Sequence, residues 1–402
     1  METFQKKLRI IPQETLQILT RFTQIYQSAG YQCFLVGGSC RDIMLGITPH
    51  DFDFAVNCPL EETGKLFSHV YPTGVRFGTL TIGFEGYQFE VTRFRKDIET
   101  DGRRAVIRFA ESIEDDLKRR DLRINALAYD IINESLVDSE DGMIDFEERM
   151  IRFVGSAVDR IREDQLRALR YGRMIGNMIP RGFRYDPDEL RGVVQVFDPS
   201  FLSIERVYDE LGKVFKAAEK DVDFLIDFFG LLRIFRNYLT SESEAAQVVR
   251  QILIRENLLP LSVAFRRHHS LKETAERLKL SRIEKQLTEL VWSFETVGEY
   301  NKIQVKNILD KGQRLPPDQI ARAFKNVLDV DIHAEVKSIL EQKEPYRISD
   351  LKLGGKDLLK TGFKGEGIRQ MLEFLLELVW EKPKLNTRNQ LLAIAKQKRR
   401  KM

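Results

Sequence analysis

The run from Phe34 to Ala55 constrains this chain more than any other. It reads Phe-Leu-Val-Gly-Gly-Ser-Cys-Arg-Asp-Ile-Met-Leu-Gly-Ile-Thr-Pro-His-Asp-Phe-Asp-Phe-Ala. An apolar strand runs into the Gly37–Gly38 turn, where the lack of a side chain lets backbone N–H groups approach a triphosphate. Asp51 and Asp53 follow on a second strand-like run. Residues two apart on a strand share a face, so both carboxylates can reach one Mg²⁺ or a pair of them. The two parts together describe a site for metal-bound nucleotide. Asp-x-Asp alone is better explained as a common spacing on exposed strands; the preceding Gly-Gly and Arg41-Asp42 favour the nucleotide reading.

Residues 1–30 carry Leu16, Leu19, Phe22 and Tyr26 near helical spacing and predict one amphipathic helix. Strand-like runs follow at Cys33–Val36, Phe52–Val56, Thr79–Phe84, Gln88–Arg95 and Leu136–Asp138, with helices expected over Leu60–His69 and Asp121–Tyr129. From Asp159 onward the pattern is helical almost to the end, with breaks near Pro180–Gly182, Pro187, Pro260, Pro316–Pro317 and Pro345. The fold class is therefore α+β (α/β) in the head, followed by an elongated all-α remainder.

A third carboxylate, Glu90, lies in Tyr87-Gln-Phe-Glu-Val-Thr92, on the more polar face of an alternating strand. If that strand neighbours the one bearing Asp53, three acids converge; whether Glu90 joins the metal ligands stays open. Hard oxygen donors suit Mg²⁺, which binds few carboxylates plus substrate phosphates. In a two-metal arrangement one ion activates the attacking hydroxyl and the other steadies the leaving pyrophosphate.

Two further segments bear on chemistry. In Arg119-Arg-Asp-Leu-Arg-Ile-Asn-Ala-Leu-Ala-Tyr129, residues Arg120, Asp121 and Asn125 can recur on one helical face and bond a ribose hydroxyl and a phosphate. A helix start with solvated charges explains them as well. In Glu163-Asp-Gln-Leu-Arg167, with Arg170 one turn on, Asp164 and Arg167 lie on one side of a helix. There Asp164 can accept from an exocyclic amine, present in cytosine and adenine but absent from uracil, and Arg167 can donate to ring acceptors. The plain alternative is an intrahelical salt bridge. The stretch Arg93–Phe109, rich in Arg95, Lys96, Asp97, Glu99, Asp101, Arg103, Arg104 and Arg108, is either a loop closing over the nucleotide with Gly102 as pivot or a solvated connection.

Composition excludes several classes. Net charge is only +3 over 402 residues, so the whole chain is no electrostatic magnet for nucleic acid. The three cysteines, Cys33, Cys40 and Cys58, form no C-x-x-C pair, which disfavours disulfide and structural zinc frameworks. No signal-like N-terminus and no long apolar run is present, so a cytoplasmic protein without a membrane span is expected. Gly-x-Ser-x-Gly and Walker-type loops are absent, and His268–His269 lack ligand partners nearby in sequence. The basic Lys396–Lys401 end reads as a solvated terminus.

These motifs, in this order over residues 34–213, resemble those of the class II bacterial CCA-adding enzymes (tRNA nucleotidyltransferases) and the related poly(A) polymerases. Leu35-Val-Gly-Gly with Asp51-Phe-Asp53 is similar to the first family motif, and Arg119 to Tyr129 to the ribose-contacting one. Asp138–Gly142, Asp145 and Ile151–Gly155 are similar to the next, Glu163–Arg167 to the base-selecting motif, and Ile204–Lys213 to the helix-supporting one. Ser349–Leu359 and Gly362–Ile368 look like the family's tail. Departures are Arg123 where a threonine is common, Tyr171-Gly-Arg-Met after Arg170, and a shortened Arg93–Phe109 segment without the usual proline near Arg104.

The resemblance implies a catalytic head over 1–150, a neck over 151–222 with the base-selecting motif, a body over 223–330 and a tRNA-binding tail over 331–402. It implies Mg²⁺-dependent, template-independent addition of CMP and AMP from CTP and ATP to the 3′ end of tRNA, releasing pyrophosphate. Asp51, Asp53 and Glu90 would be catalytic, with Asp51 and Asp53 on the metal. Gly37, Gly38, Arg41, Arg120, Asp121, Asn125, Asp164, Arg167 and Arg170 would bind nucleotide, and Lys364, Gly365 and Gly367 would meet RNA. Partial CC- or A-adding enzymes, a poly(A) polymerase, a non-catalytic RNA-binding protein and a transferase acting on a small molecule are the rivals. The oligomeric state is left open.

Overall fold

The computed structural model describes residues 2–100, 105–235, 242–255, 261, 270–294 and 299–400. The chain divides into two compact units, Met1–Asn237 and Tyr238–Met402.

The first unit opens with α1 (Glu2–Leu8) and α2 (Gln13–Ser28), where one helix is expected from the apolar spacing. Pro12 explains the break: it cannot continue an α-helical ladder, and it stands as the N-cap of α2. There follow β1 (Cys33–Val36), α3 (Gly38–Met44), β2 (Asp53–Val56), α4 (Leu60–Leu66), β3 (Val70–Gly74), β4 (Thr79–Phe84) and β5 (Tyr87–Arg93). Next come β6 (Arg95–Thr100), β7 (Ala105–Phe109), α5 (Ile113–Lys118), β8 (Ala128–Asp130) and β9 (Ser135–Val137).

Seven of these strands form one sheet in the order β3-β4-β5-β2-β1-β8-β9. Only β2 and β5 run parallel; the other neighbours are antiparallel. The Phe22 ring of α2 packs among Phe54, Phe67, Phe84 and Phe89. A second cluster gathers Phe34, Val36 and Ala55 with Phe94, Ile113 and Leu117. β1 and β2 therefore send alternate side chains into two cores, and the segments at their ends are held firmly.

Two expectations are corrected here. Asp121–Tyr129 is not an α-helix: it holds a single 3₁₀ turn, Arg123–Asn125, and then enters the sheet as β8 beside β1. Leu122 pairs with Phe153 in an isolated bridge, so sheet contacts override the local helical pattern. The Arg93–Phe109 stretch is not a loop but the β6–β7 hairpin, with Arg95 opposite Phe109. Asp101, Gly102, Arg103 and Arg104 lie outside the described residues.

Beyond the sheet run α6 (Gly142–Glu148), β10 (Met150–Ile151), α7 (Ala157–Glu163), α8 (Leu166–Met178), β11 (Arg184–Tyr185), α9 (Pro187–Val196), α10 (Ile204–Lys216) and α11 (Val222–Leu231). The short parallel pair of β10 and β11 interrupts the all-helical pattern expected after Asp159. α8 packs against both α10 and α11. Its contact with α11 is made through glycine: a Cβ on Gly172 would fall 2.2 Å from the Phe228 ring, and one on Gly176 2.6 Å from Leu225.

The second unit is helical throughout its described residues, with one core around Phe324 and another around Leu375. Pro260, His268 and His269 lie outside the described residues. Pro316 and Pro317 start the helix Pro317–Leu328, where a missing N–H costs nothing. Lys306, 2% exposed, is held by Glu344, which also takes Lys302. No helix among the described residues is long and apolar enough to cross a membrane.

Three substitutions test this packing. Gly172→Ala overpacks the α8–α11 seam and costs about 1–3 kcal/mol in denaturant unfolding. Gly212→Ala, on α10 with nothing within 4 Å of its Cβ, is neutral or stabilising by up to about 1 kcal/mol. At Glu344 burial raises the carboxyl pKa, but the bonds from Lys302 and Lys306 outweigh it and hold the group below its ordinary value. A lowered folded pKa gives stability that is present above the unfolded value, about 4.3, and lost as pH falls through the folded one. Glu344→Gln is therefore expected to cost about 2 kcal/mol at pH 7. The gap should close in unfolding curves below about pH 4.

Candidate active site

The strand β1 ends at Val36 and the chain turns at Gly37, whose φ of +67° belongs to the region that favours glycine. A Cβ at Gly37 would lie 2.9 Å from Arg120 Nη1, and one at Gly38 3.5 Å from Arg41 Nη2. The two glycines thus leave a shallow cradle walled by two guanidinium groups. Arg41 is fixed there by Asp42, through Nε and Nη2 at 3.0 and 2.8 Å, and donates from Nη1 to Asn125 Oδ1 at 3.0 Å.

Ser39 joins this turn to the carboxylates. Its hydroxyl donates to the Asp51 carbonyl at 3.0 Å and accepts from the Asp53 N–H at 3.2 Å. Asp53 opens β2, whereas Asp51 precedes the strand, so the strand-face argument holds for Asp53 alone. Their proximity comes from the turn that Ser39 pins. On the neighbouring strand Glu90 stands in register opposite Asp53. Burial pushes the Asp53 carboxyl up to about 6, with Glu90 and then Asp51 adding to the rise against Arg120 and Arg41.

A half-buried carboxylate crowded by two exposed ones is what a divalent cation neutralises, and all the donors are hard oxygens. Among the described residues no group of three or more His, Cys, Asp or Glu is disposed to hold an ion by itself. The donor set fits a cation that keeps water and substrate phosphate as its remaining ligands.

Asp121 and Asn125 do meet, though on a 3₁₀ turn: Asn125 Nδ2 donates to Asp121 Oδ1 at 3.3 Å. Burial raises the Asp121 carboxyl, but Arg170 at 3.8 Å, with the Asn125 and Leu122 hydrogen bonds, holds it below its ordinary value. Arg120 donates from Nη2 to Asp116 Oδ2 at 3.1 Å and from Nη1 to the Asn125 carbonyl at 3.3 Å.

Asp164 is not within a helix. It lies in extended backbone between α7 and α8, where its Oδ1 accepts from Leu166 N–H at 3.0 Å. Arg206 Nη2 donates to both Asp164 oxygens at 2.9 Å each. Arg167 is 8% exposed; it pairs with Glu163 and donates to the Arg119 carbonyl at 2.9 Å. Arg170 and Arg173 share the buried Glu210 with Lys213.

Ser39, Glu163, Arg206 and Glu210 therefore position the candidate residues. Each lies in a motif visible in the sequence, but no spacing rule says which side chain each one binds. In the second unit Gly365, at φ +50°, caps the helix Glu366–Glu381, and the Gly367 N–H donates to the Lys364 carbonyl at 3.1 Å. Lys364 is exposed.

The chain is similar to several known proteins. Residues 33–152 match the Poly A polymerase head domain. The zebrafish (Danio rerio) mitochondrial CCA tRNA nucleotidyltransferase 1 is 27% identical over 90% of this chain and 86% of its own length. The Streptococcus pyogenes CCA-adding enzyme is 39% identical over 43% of each chain, so the closer likeness spans less than half of that relative. The Bacillus stearothermophilus CCA-adding enzyme in complex with CTP superposes with a TM-score of 0.75 at 22% identity, over 96% of this chain and 98% of that one. The Thermotoga maritima CCA-adding enzyme complexed with tRNA gives 0.63 at 18% identity, over 97% and 96%. Residues 33–152 thus carry a head domain of the Poly A polymerase type, and the chain as a whole is similar to CCA-adding enzymes.

Proposed function

We propose that this protein adds CMP and AMP from CTP and ATP to the 3′ end of tRNA without a template, releasing pyrophosphate. The observation that carries the reading is the Ser39 hydroxyl bridge, which sets Asp51 and Asp53 against the Gly37–Gly38 cradle. In this reading the head spans 1–150, the neck 151–222, the body 223–330 and the tail 331–402. Lys364, Gly365 and Gly367 contact the RNA backbone.

The 3′-hydroxyl oxygen of the tRNA attacks the α-phosphorus of the nucleotide, and the bond to the pyrophosphate oxygen breaks. Mg²⁺ on Asp51 and Asp53, with Glu90 beside them, would favour the alkoxide form of the attacking hydroxyl and offset charge on the leaving group. Gly37 and Gly38 admit the triphosphate, and Arg41 and Arg120 balance its charge. Asp121 and Asn125 meet the ribose, with Arg170 beside them.

Asp164 accepts from the exocyclic amine of cytosine or adenine. Its carboxylate is oriented by Arg206, which donates to both oxygens, and uracil offers it no donor. Arg167, locked by Glu163 and the Arg119 carbonyl, donates to the ring acceptors.

The test is extension, at single-nucleotide resolution, of tRNAs ending before CCA, after C and after CC, with Mg²⁺ and CTP, ATP or both. Completion to CCA followed by arrest is expected. Extension of only the CC-ending tRNA would mean an A-adding enzyme, arrest after CC a CC-adding one, and a long A tail a polymerase. Asp53→Asn should cut transfer by at least about 100-fold with an unchanged circular dichroism spectrum. Arg206→Gln should lower discrimination of CTP over UTP by about 10-fold, since one oriented base contact carries that much selectivity. Unchanged discrimination would remove Arg206 from the base site.

A further inference from the structure

Asp116 sits near the end of α5 and is 1% exposed. No role for it follows from the chemistry above, yet four donors converge on its carboxylate. Oδ1 accepts from the Arg95 N–H at 3.2 Å and from Arg119 Nε and Nη2 at 2.9 and 2.8 Å. Oδ2 accepts from Arg120 Nη2 at 3.1 Å. Burial raises the carboxyl pKa, but Arg120 and Arg119 outweigh it, so the group stays ionised.

We propose that Asp116 is a positioning residue, which aims Arg120 at the glycine cradle and ties that aim to the base-selecting arginine and to the foot of the β6–β7 hairpin. The inference rests on the nucleotide-binding role proposed above for Arg120. Arg119 and Arg120 are adjacent like charges that repel in a partly desolvated setting. One carboxylate three and four residues earlier draws both guanidinium groups back over the helix end. That pull leaves Arg120 Nη1 against Gly37, where a Cβ would stand 2.9 Å away.

The same step reaches the base site. The Arg119 carbonyl, one bond from the Arg120 nitrogen, accepts from Arg167 Nη2. A displacement of residues 119–120 therefore moves a triphosphate ligand and a base ligand together. Arg95 begins β6, so its N–H bond to Asp116 joins the hairpin to the same carboxylate.

A purely structural Asp116 and a positioning Asp116 differ in what its loss changes. Asp116→Asn keeps the size of the side chain and an acceptor for the Arg95 N–H, but removes the charge that holds Arg120. Calorimetric titration of the full chain with CTP, without tRNA, should show about a 10-fold weaker Kd for D116N. The KM for CTP should rise in parallel, with the affinity for tRNA unchanged. Wild-type CTP affinity in a folded D116N would overturn the proposal while leaving the functional reading intact. If the wild-type protein binds neither CTP nor ATP, the functional reading fails and this inference falls with it. Should D116N not fold, hydrogen exchange of the wild type decides: CTP is expected to slow exchange of the Arg95 amide, and no change there would overturn the coupling.

Discussion

One hydroxyl holds the candidate site together. Ser39 is 2% exposed and bonded on both sides of the Asp51–Asp53 turn, so the glycine turn after β1 and the carboxylates before β2 move as one piece. The two strands are adjacent and antiparallel, Val36 opposite Asp53, which brings the end of one to the start of the other. Everything else in the site is arranged around this junction. β5 adds Glu90 from one side, and the segment after α5 adds Arg120, Asp121 and Asn125 from the other, because β8 pairs with β1.

Around that junction acids and arginines alternate in space. Asp116 holds Arg119 and Arg120, Glu163 holds Arg167, Arg206 holds Asp164, and Glu210 holds Arg170 and Arg173. A site that must receive a polyanion needs several positive charges close together, and those charges repel one another before the ligand arrives. Buried carboxylates behind them cancel the repulsion and fix each planar donor fork in one orientation. The arrangement is preorganised for an anion at the cost of burying charge, which only good pairing makes tolerable.

The sequence shows which segments belong to the site far better than how they are held. Gly37, Asp53 and Glu90 are legible because turn chemistry and strand alternation are local. Asp121 and Asn125 are legible as neighbours for the wrong reason: four-residue spacing suggests a helix, and a 3₁₀ turn beside the sheet brings them together instead. The Asp164–Arg167 pair is read as one unit, whereas the structure gives each side chain a partner from elsewhere. Arg206 is 42 residues from Asp164, and Arg119 is 48 residues from Arg167. Such separations are closed by the packing of α8 and α10 and of the head strands, which no window of sequence contains. The split of the first 30 residues at Pro12 was within reach, since proline after Ile10-Ile11 marks a break.

The glycine seam of α8 makes its start sensitive to what happens deeper in the bundle. Gly172 is five residues beyond Arg167, about 7.5 Å along the helix axis. With Phe228 and Leu225 pressed against bare backbone, α8 cannot slide or roll on α11 without clashing. A bulkier side chain at the seam would tilt the helix like a rod on a raised fulcrum and swing the guanidinium at its far end off target. If Arg167 selects the base as proposed, nucleotide choice depends in part on an apolar contact that touches no nucleotide.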